Sequence, residues 1–428
     1  MTRHTSVING IIGLAVLAQA FGSQILGIAL PTNVSTVLVI TAVLAVIITN
    51  RVYVPLGLVV LLALVLFQSF VVNMGQPDGL QRAVHFIGLC IFAVCGFATA
   101  NANSVDLGRV ARGYYRLCQL VAVLSVLQVM LFVWLGETVT LSRLLGGVDP
   151  IPMRIEIAGL LPRAIGVASE PQHLALLLSP GAFMAMLVLL NRPQFLAEES
   201  KVGAVLVLCA MGLTFSVFSF AALAAIAIAA TLSGGRVRRL FLFGMLLACG
   251  FGYVLSTQTI WYKLDRLWEA VEDPLLYEYT TTDLSGFALI SNVMVAKEVI
   301  EQNGIFGTGI DTHYINYDRF LYTIFAERQV IHELNREDAG SLATRLLSEF
   351  GIIGVLVLFA VMYLWWARRK VNRDAVVVNR AAALYIGLYT LRLGNYLDIT
   401  LWVSIAIYIV SCQMAAMPKV AQPSRRPA

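Results

Sequence analysis

Two residues suited to proton transfer, Glu170 and His173, lie three positions apart at the start of a long apolar run. In a helix this spacing places both side chains on one face, one turn apart. An ionisable side chain is costly near a bilayer interior, so the pair predicts a general acid or base. Ser169 and Gln172 also fit a capping box. Helix capping combined with an internal ion pair is therefore the alternative interpretation.

Three arginines, Arg143, Arg154 and Arg163, precede this pair within a short segment. Arginine is always charged and offers a planar fork of donors that suits phosphate oxygens. The segment therefore predicts an anion site, with Arg163 the preferred residue. Pairing with nearby acids, or placement of the guanidiniums in the membrane interface, is the alternative. Arg392 lies near Asp398 after another apolar run, and we expect it either to pair with an acid or to bind an anionic ligand.

The longest polar interruption in the chain is 257–344, which carries about fourteen acids and six Lys or Arg residues. A helix is expected over 287–302. The following Gly307-Thr308-Gly309 permits a tight turn and a close approach of backbones. Further candidates for substrate contact follow that turn: His313, Tyr314, Arg319, Arg328, His332 and Arg336.

Apolar runs of membrane-spanning length surround these polar segments. Hydrophobic residues make up 59% of the 428 residues and charged residues 13%, about half of the roughly 25% found in soluble proteins. Because a span needs about 20 apolar residues, the sequence predicts an all-α polytopic membrane protein with about twelve transmembrane helices. We expect the first span to stay as an anchor, since no cleavage site follows it. The predicted spans are 7–30, 34–49, 53–73, 83–101, 114–135, 171–190, 203–216, 219–233, 240–256, 345–367, 380–397 and 401–417.

The distribution of Lys and Arg predicts the orientation of these spans. Positive residues cluster in the even-numbered connections and in the tail, so both termini are expected in the cytoplasm. The net charge of +5 then reflects the orientation of the spans in the membrane, and it does not indicate nucleic-acid binding. The predicted organisation starts with spans 1–9 over 1–256, which include an external loop at 136–170. A large external loop at 257–344 follows; it is expected to contain short amphipathic helices and to cover an outward-facing cavity. Spans 10–12 over 345–417 and a cytoplasmic tail at 418–428 complete the chain.

Three pieces of sequence, taken in order, resemble a known family. They are Arg163-x-x-Gly166-x-x-x-Glu170-Pro171 before a span, Asn303-Gly304-Ile305-Phe306-Gly307-Thr308-Gly309 in the large loop, and Leu347-Ser348-Glu349-Phe350-Gly351-Ile352-Ile353-Gly354 at the next span. Together with the short run Thr214-Phe215-Ser216, this order is similar to that of the Wzy/WaaL-like superfamily of O-antigen ligases and polysaccharide polymerases. The resemblance covers about residues 155–400.

The resemblance implies an inverting glycosyltransferase of the bacterial inner membrane that uses neither a cofactor nor a metal. Its substrate would be an undecaprenyl-diphosphate-linked oligosaccharide. External arginines would hold the diphosphate leaving group, and a carboxylate or imidazole would assist attack by the acceptor hydroxyl. In this chain the diphosphate role falls on Arg154, Arg163, Arg328 and Arg392, and the catalytic role on Glu170, His173 and His332.

One departure from the family pattern favours the polymerase branch. Ligases of the family carry a His at the position that Gly340 holds here, beside Ser341. We therefore expect a polymerase that joins lipid-linked repeat units at the outer face of the inner membrane. A ligase-type transferase is the first alternative. A polysaccharide or lipid-linked sugar transporter is less favoured, because the two halves of the chain lack the repeat relation common in transporters. Expected partners are the lipid-linked oligosaccharide, membrane lipid and a chain-length-regulating or export protein, with no nucleic acid.

Overall fold

The computed structural model describes residues 79–103, 107–135, 162–166, 168, 170–190, 193–234, 284–324, 334–368 and 371–417, with a few positions between 56 and 68. Within these residues the regular structure is entirely helical and contains no strand. The helices are α1 (Gly79–Asn103), α2 (Leu107–Leu135), α3 (Pro171–Leu190), α4 (Lys201–Gly212), α5 (Val217–Gly234), α6 (Leu284–Asn303), α7 (His313–Ile324), α8 (Leu342–Leu364), α9 (Arg373–Arg392) and α10 (Ile399–Ala415), with 3₁₀ turns at Gln194–Leu196 and Gly304–Phe306.

The predicted all-α fold is confirmed for the described residues. Three helices, α2, α3 and α8, are long and apolar enough to cross a membrane, and shorter apolar stretches lie within α1, α4, α5 and α10. The predicted spans at 7–30, 34–49 and 240–256 lie outside the described residues. The structure thus supports a membrane protein, while the number of twelve spans stays a prediction.

The predicted break between two spans near Thr214 is confirmed, whereas the predicted bounds of span 380–397 differ from the structure. The run around Thr214 separates two helices, because Phe215 adopts a φ of +44° that a helix cannot continue. The predicted span 380–397 corresponds to α9, which begins and ends earlier. The side chain of Asn372 accepts the N–H of Ala375 at 3.3 Å and starts α9 before its apolar residues do.

The described helices pass back and forth, so their ends gather at two opposite ends of the bundle. At one end, Arg116 of α2 pairs with Glu199 before α4 at 2.9 Å. At the other end, Arg392 closes α9 beside Glu170, which precedes α3. Contacts between neighbouring elements bring the starts of four helices to this second end, namely α1, α3, α8 and α10. The last turns of α4 and α9 lie at the same end. We call it the site end.

Helix α3 lies at the centre of the bundle. Its most apolar stretch is 78% buried inside the protein, against 28% for α2 and 17% for α8. A helix that is apolar and buried on all sides belongs to a core. The outward faces of α2 and α8 carry exposed apolar residues such as Val133, Leu356 and Phe359. Such faces suit contact with lipid tails, which are as apolar as these side chains.

The loop after α6 packs on a break in α8. Gly351 has a φ of +62° inside α8 and breaks the helix there. The carbonyls of Ser348 and Glu349 therefore accept hydrogen bonds from the loop. The N–H groups of Thr308 and Gly309 donate to them at 3.3 and 2.7 Å. A Cβ on Gly351 would overlap the carbonyl of the 3₁₀ turn that precedes Thr308. Glycine is therefore required at the break, where two backbones meet directly.

Candidate active site

A carboxylate and a guanidinium meet where α9 ends and α3 begins. Nη2 of Arg392 lies 3.7 Å from Oε2 of Glu170, and the two side chains are 26% and 35% exposed. The amide of Gln172 also donates to the Glu170 carboxylate. The carbonyl of Glu170 accepts the N–H of Leu174 at 3.1 Å, so this residue stands at the helix start. Both charged side chains can be reached from outside the protein.

His173 lies beside this pair. Its imidazole is within electrostatic reach of Glu170, Arg392, Asp338 and Asp398. The helical spacing therefore places Glu170 and His173 together, as expected, and the fold adds Arg392 from a distant part of the chain. We call Glu170, His173 and Arg392 the Glu170 group. It combines a proton acceptor, a second titratable group and a permanent positive charge.

Asp398 has a separate, structural role. Its Oδ1 accepts the N–H of Thr400 at 2.8 Å and so caps α10, while its Oδ2 accepts the hydroxyl of Tyr389 at 2.9 Å. Both carboxylate oxygens of Asp398 accept hydrogen bonds, and the residue is buried.

Arg392 pairs with Glu170 and not with Asp398. A separation of 3.7 Å is too long for a hydrogen bond, and within the described part of the chain Nε of Arg392 has no hydrogen-bond partner.

Arg163 is fixed on the turn between α4 and α5. Its Nε donates to the carbonyl of Thr214 at 3.0 Å. The side chain of Gln128 in α2 accepts the N–H of Gly166 at 2.9 Å and holds the same segment from the other side. The segment therefore reaches the site end with a set backbone. The Arg163 segment and the run at Thr214 are thus hydrogen-bonded to each other.

A second cluster of charges is buried nearby and was not predicted from the sequence. Nε of Arg345 donates to Glu349 at 2.8 Å, and its Nη2 lies 3.1 Å from Asp311 and 3.3 Å from the hydroxyl of Tyr396. Nδ1 of His85 lies 2.9 Å from the other oxygen of Asp311. We call these five residues the Arg345 cluster. Its acids are sealed off, since Glu349 is fully buried and the Asp311 side chain is 6% exposed.

The Arg345 cluster joins four parts of the chain, and its charged side chains are paired with one another. Buried charges are tolerated when they are paired and hydrogen-bonded. The N–H of Asp311 donates to Glu349 at 3.0 Å, and the Tyr396 ring lies 4.1 Å from the guanidinium of Arg345. Burial raises the pKa of Tyr396 well above its ordinary value, so the phenol stays neutral. The cluster therefore fastens α1, the Gly-rich loop, α8 and the turn before α10 to one another.

The described residues after the Gly-rich turn are mostly structural. His313 is buried, and its Nε2 lies 2.8 Å from Oδ1 of Asn292. Burial, with the charge of Arg345 nearby, lowers the pKa of His313 to about 3, so its imidazole is neutral. Arg336 pairs with Asp318 on the loop surface. These residues lie outside the Glu170 group.

Some predicted site residues cannot be placed. Arg154, Arg328 and His332 lie outside the described residues. Ser341, next to Gly340, caps α8, and its hydroxyl accepts the N–H of Thr344 at 3.1 Å. Within the described part of the chain, no three His, Cys, Asp or Glu side chains group in a way that could hold a metal ion.

Comparisons with protein-family models, with curated proteins and with solved structures found no match for this chain. The site is therefore interpreted from its own chemistry. A partly exposed carboxylate, an imidazole and a loosely paired guanidinium meet at one end of a helical bundle. Such a group can bind an anion and accept a proton in the same place.

Proposed function

We propose that this protein is a polysaccharide polymerase, similar to the Wzy/WaaL-like membrane glycosyltransferases. It would join lipid-diphosphate-linked oligosaccharide repeat units at the outer face of a bacterial inner membrane. The observation that carries this proposal is the Glu170 group, in which Arg392 lies 3.7 Å from Glu170 with both side chains partly exposed. A glycosyl donor with a diphosphate leaving group needs both functions, a cation for the leaving group and a base for the acceptor hydroxyl.

The proposed reaction is a single displacement at the anomeric carbon. The acceptor hydroxyl forms the new bond to that carbon, while the bond to the diphosphate oxygen breaks and the leaving diphosphate keeps the electron pair. Arg392 stabilises the departing charge with a fixed guanidinium. Glu170 takes the proton of the acceptor hydroxyl, with His173 as the titratable group beside it. One displacement inverts the anomeric configuration.

The loose pairing within the Glu170 group suggests how donor binding prepares the base. In the free protein the Glu170 carboxylate faces Arg392 and also accepts from Gln172. A diphosphate carries more negative charge than a carboxylate and would compete for Arg392. Its binding would release Glu170 to accept a proton from the acceptor. The base would thus become available only when the donor is in place.

The fixed position of Arg163 supports a second contact to the diphosphate. Its Nε donates to the carbonyl of Thr214 at 3.0 Å, which holds the guanidinium on the turn between α4 and α5 at the site end. We propose that Arg163 orients the donor and that Arg392 binds the leaving group. The Lys and Arg distribution along the chain supports an outward orientation of the site end.

The proposal can be tested in cells that build the polymer. Arg392→Ala, introduced in place of the native chain, should leave single repeat units on lipid and reduce polymer by about 100-fold or more, the usual effect of losing one charge-stabilising donor. Arg163→Ala should give the same products. Arg336→Ala is the matched control, because Arg336 pairs with Asp318 on the loop surface. Polymer of normal length and yield from Arg392→Ala, with normal amounts of protein in the membrane, would overturn the proposal.

A further inference from the structure

Arg82 is a buried charge for which the described chain offers no partner. It lies in the first turn of α1, and only 5% of the residue is exposed. Within the described part of the chain, none of its three guanidinium nitrogens has a hydrogen-bond partner. A guanidinium cannot discard its proton to relieve this burial. Its position therefore calls for an anion.

The other buried arginine at this end shows what a structural charge looks like in this protein. Arg345 donates to Glu349 and Asp311 and lies against Tyr396. Every part of its guanidinium is thus accounted for by the fold. Arg82 is buried to the same degree as Arg345, yet its guanidinium nitrogens have no hydrogen-bond partner among the residues that the structure describes. The difference indicates that its counterion is a ligand.

The surroundings of Arg82 also favour a negative ligand. Side chains of an α-helix lean toward the N-terminus, so the guanidinium is directed toward the start of α1. The first N–H groups of a helix have no intrahelical acceptors, and the helix dipole is positive there. Guanidinium and helix start would thus bind one anion together.

His85 places this position next to the Arg345 cluster. It follows Arg82 by three residues and therefore lies on the same face of α1, one turn deeper. Its Nδ1 lies 2.9 Å from Asp311, which in turn pairs with Arg345. Contacts thus run from Glu349 outward through Arg345 and Asp311 to His85.

We propose that Arg82 and the N-terminus of α1 form a binding site for a phosphate-type anion. A tetrahedral phosphate offers more acceptor oxygens than a carboxylate, which suits the three guanidinium nitrogens of Arg82 that have no hydrogen-bond partner among the described residues. The phosphate can belong to a small molecule or to the headgroup of an anionic phospholipid. No residue of this site belongs to the Glu170 group, so the inference stands apart from the proposed polymerase activity.

The test is ligand-dependent thermal unfolding of the full chain. One arm uses phospholipid-free detergent with inorganic pyrophosphate as the probe, and every chain in this arm also carries Arg163→Ala and Arg392→Ala, which remove the proposed diphosphate contacts. The other uses nanodiscs of phosphatidylcholine with and without phosphatidylglycerol. The variants are Arg82→Gln, Arg82→Lys and, as a control, Arg373→Gln, which changes an exposed arginine at the opposite end of the bundle. A ligand that binds only the folded protein raises Tm in proportion to its saturation of the site.

We expect a Tm rise in at least one arm for the native chain and for Arg373→Gln. Arg82→Gln should weaken the apparent affinity by about 10-fold or more, the usual range for one charge-assisted contact. A rise with pyrophosphate assigns a small-molecule phosphate, and a rise only with phosphatidylglycerol assigns a lipid headgroup. Equal rises in native chain and Arg82→Gln, or none in either arm, would overturn the site. The site would also be overturned if Arg82→Gln had a lower Tm in the absence of any anion and Arg82→Lys restored that Tm, because the positive charge would then stabilise the fold alone.

Discussion

Nη2 of Arg392 lies 3.7 Å from Oε2 of Glu170, which joins the end of α9 to the start of α3. An ion pair of this length and exposure contributes little to stability, about 0–1 kcal/mol. Its two partners can therefore separate at low cost when a stronger anion arrives. The pair differs in this respect from the buried Arg345 cluster, whose bonds are shorter and closed to solvent.

The Arg345 cluster should be essential to stability as a unit. Glu349→Ala leaves Arg345 and Asp311 buried with one partner fewer, and we expect it to cost about 3–5 kcal/mol. The double variant Arg345→Met with Glu349→Leu removes both charges and should cost less than the sum of the single changes. The measurement is unfolding in detergent. Strict additivity of the two changes would contradict a coupled cluster.

A surface pair provides the control for that experiment. Lys297 and Glu301 lie 3.6 Å apart on α6 and are both largely exposed. Glu301→Ala should change the free energy of unfolding by less than about 1 kcal/mol. A loss of unfolding free energy as large as that of Glu349→Ala would show that the measurement does not distinguish buried from exposed ion pairs.

Gly351 should be irreplaceable at the break in α8. Gly351→Ala puts a Cβ against the carbonyl of Ile305 at a positive φ, and the strain should cost about 1–3 kcal/mol. The loop around Gly307 should also become easier to cleave by limited proteolysis. Gly387→Ala, in an open position of α9, should be neutral or slightly stabilising. Equal protease resistance of the two variants would contradict the packing described.

His313 should make stability depend on pH. The folded protein lowers the pKa of His313 to about 3 through burial and the nearby charge of Arg345, whereas in the unfolded chain the pKa is about 6.5. The unfolded state therefore binds a proton as pH falls below about 6.5, and stability is lost from there toward pH 3. Between pH 7.5 and 5.5 the loss is about 1 kcal/mol.

The variant His313→Gln isolates this contribution. It should flatten the pH dependence of the unfolding free energy by about 1 kcal/mol over the same interval, whatever its own stability at neutral pH. Unfolding in detergent at the two pH values measures the difference. Parallel pH profiles for the native chain and the variant would show that His313 titrates alike in both states.

The two ends of the bundle should lie on opposite sides of the membrane. Glu337 is exposed near the site end, and Val371 is 57% exposed at the other. In a background without native cysteines, a membrane-impermeant maleimide should label Glu337→Cys in intact spheroplasts. It should label Val371→Cys only after the membrane is opened. The reverse pattern would place the site end in the cytoplasm.

Local signals in the sequence were enough to predict the helices around the site. The predicted span 171–190 coincides with α3, because a polar segment ends where its apolar run begins. Glu170 and His173 are also brought together as their helical spacing predicts. The start of α9 was placed too late, since an asparagine cap begins this helix in polar sequence.

The long-range partners could not be predicted. Arg345 and Glu349 are four residues apart at the head of an apolar helix, a spacing that indicates an ion pair. Nothing local indicates that Asp311 and Tyr396 complete the cluster, because their approach depends on how the loop packs on the break in α8. The approach of Arg392 to Glu170 likewise follows from the packing of α9 against α3.

The central claim is that the Glu170 group transfers sugar from a lipid diphosphate. The most direct measurement uses the purified chain in nanodiscs with lipid-linked repeat units extracted from cells that lack this chain, in the presence of EDTA. We predict release of lipid diphosphate together with polymer for the native chain and for Glu301→Gln. Glu170→Gln should lower the rate by about 100-fold or more, at an unchanged Tm. Polymer formation by Glu170→Gln at the native rate, or no product from the native chain, would contradict the account.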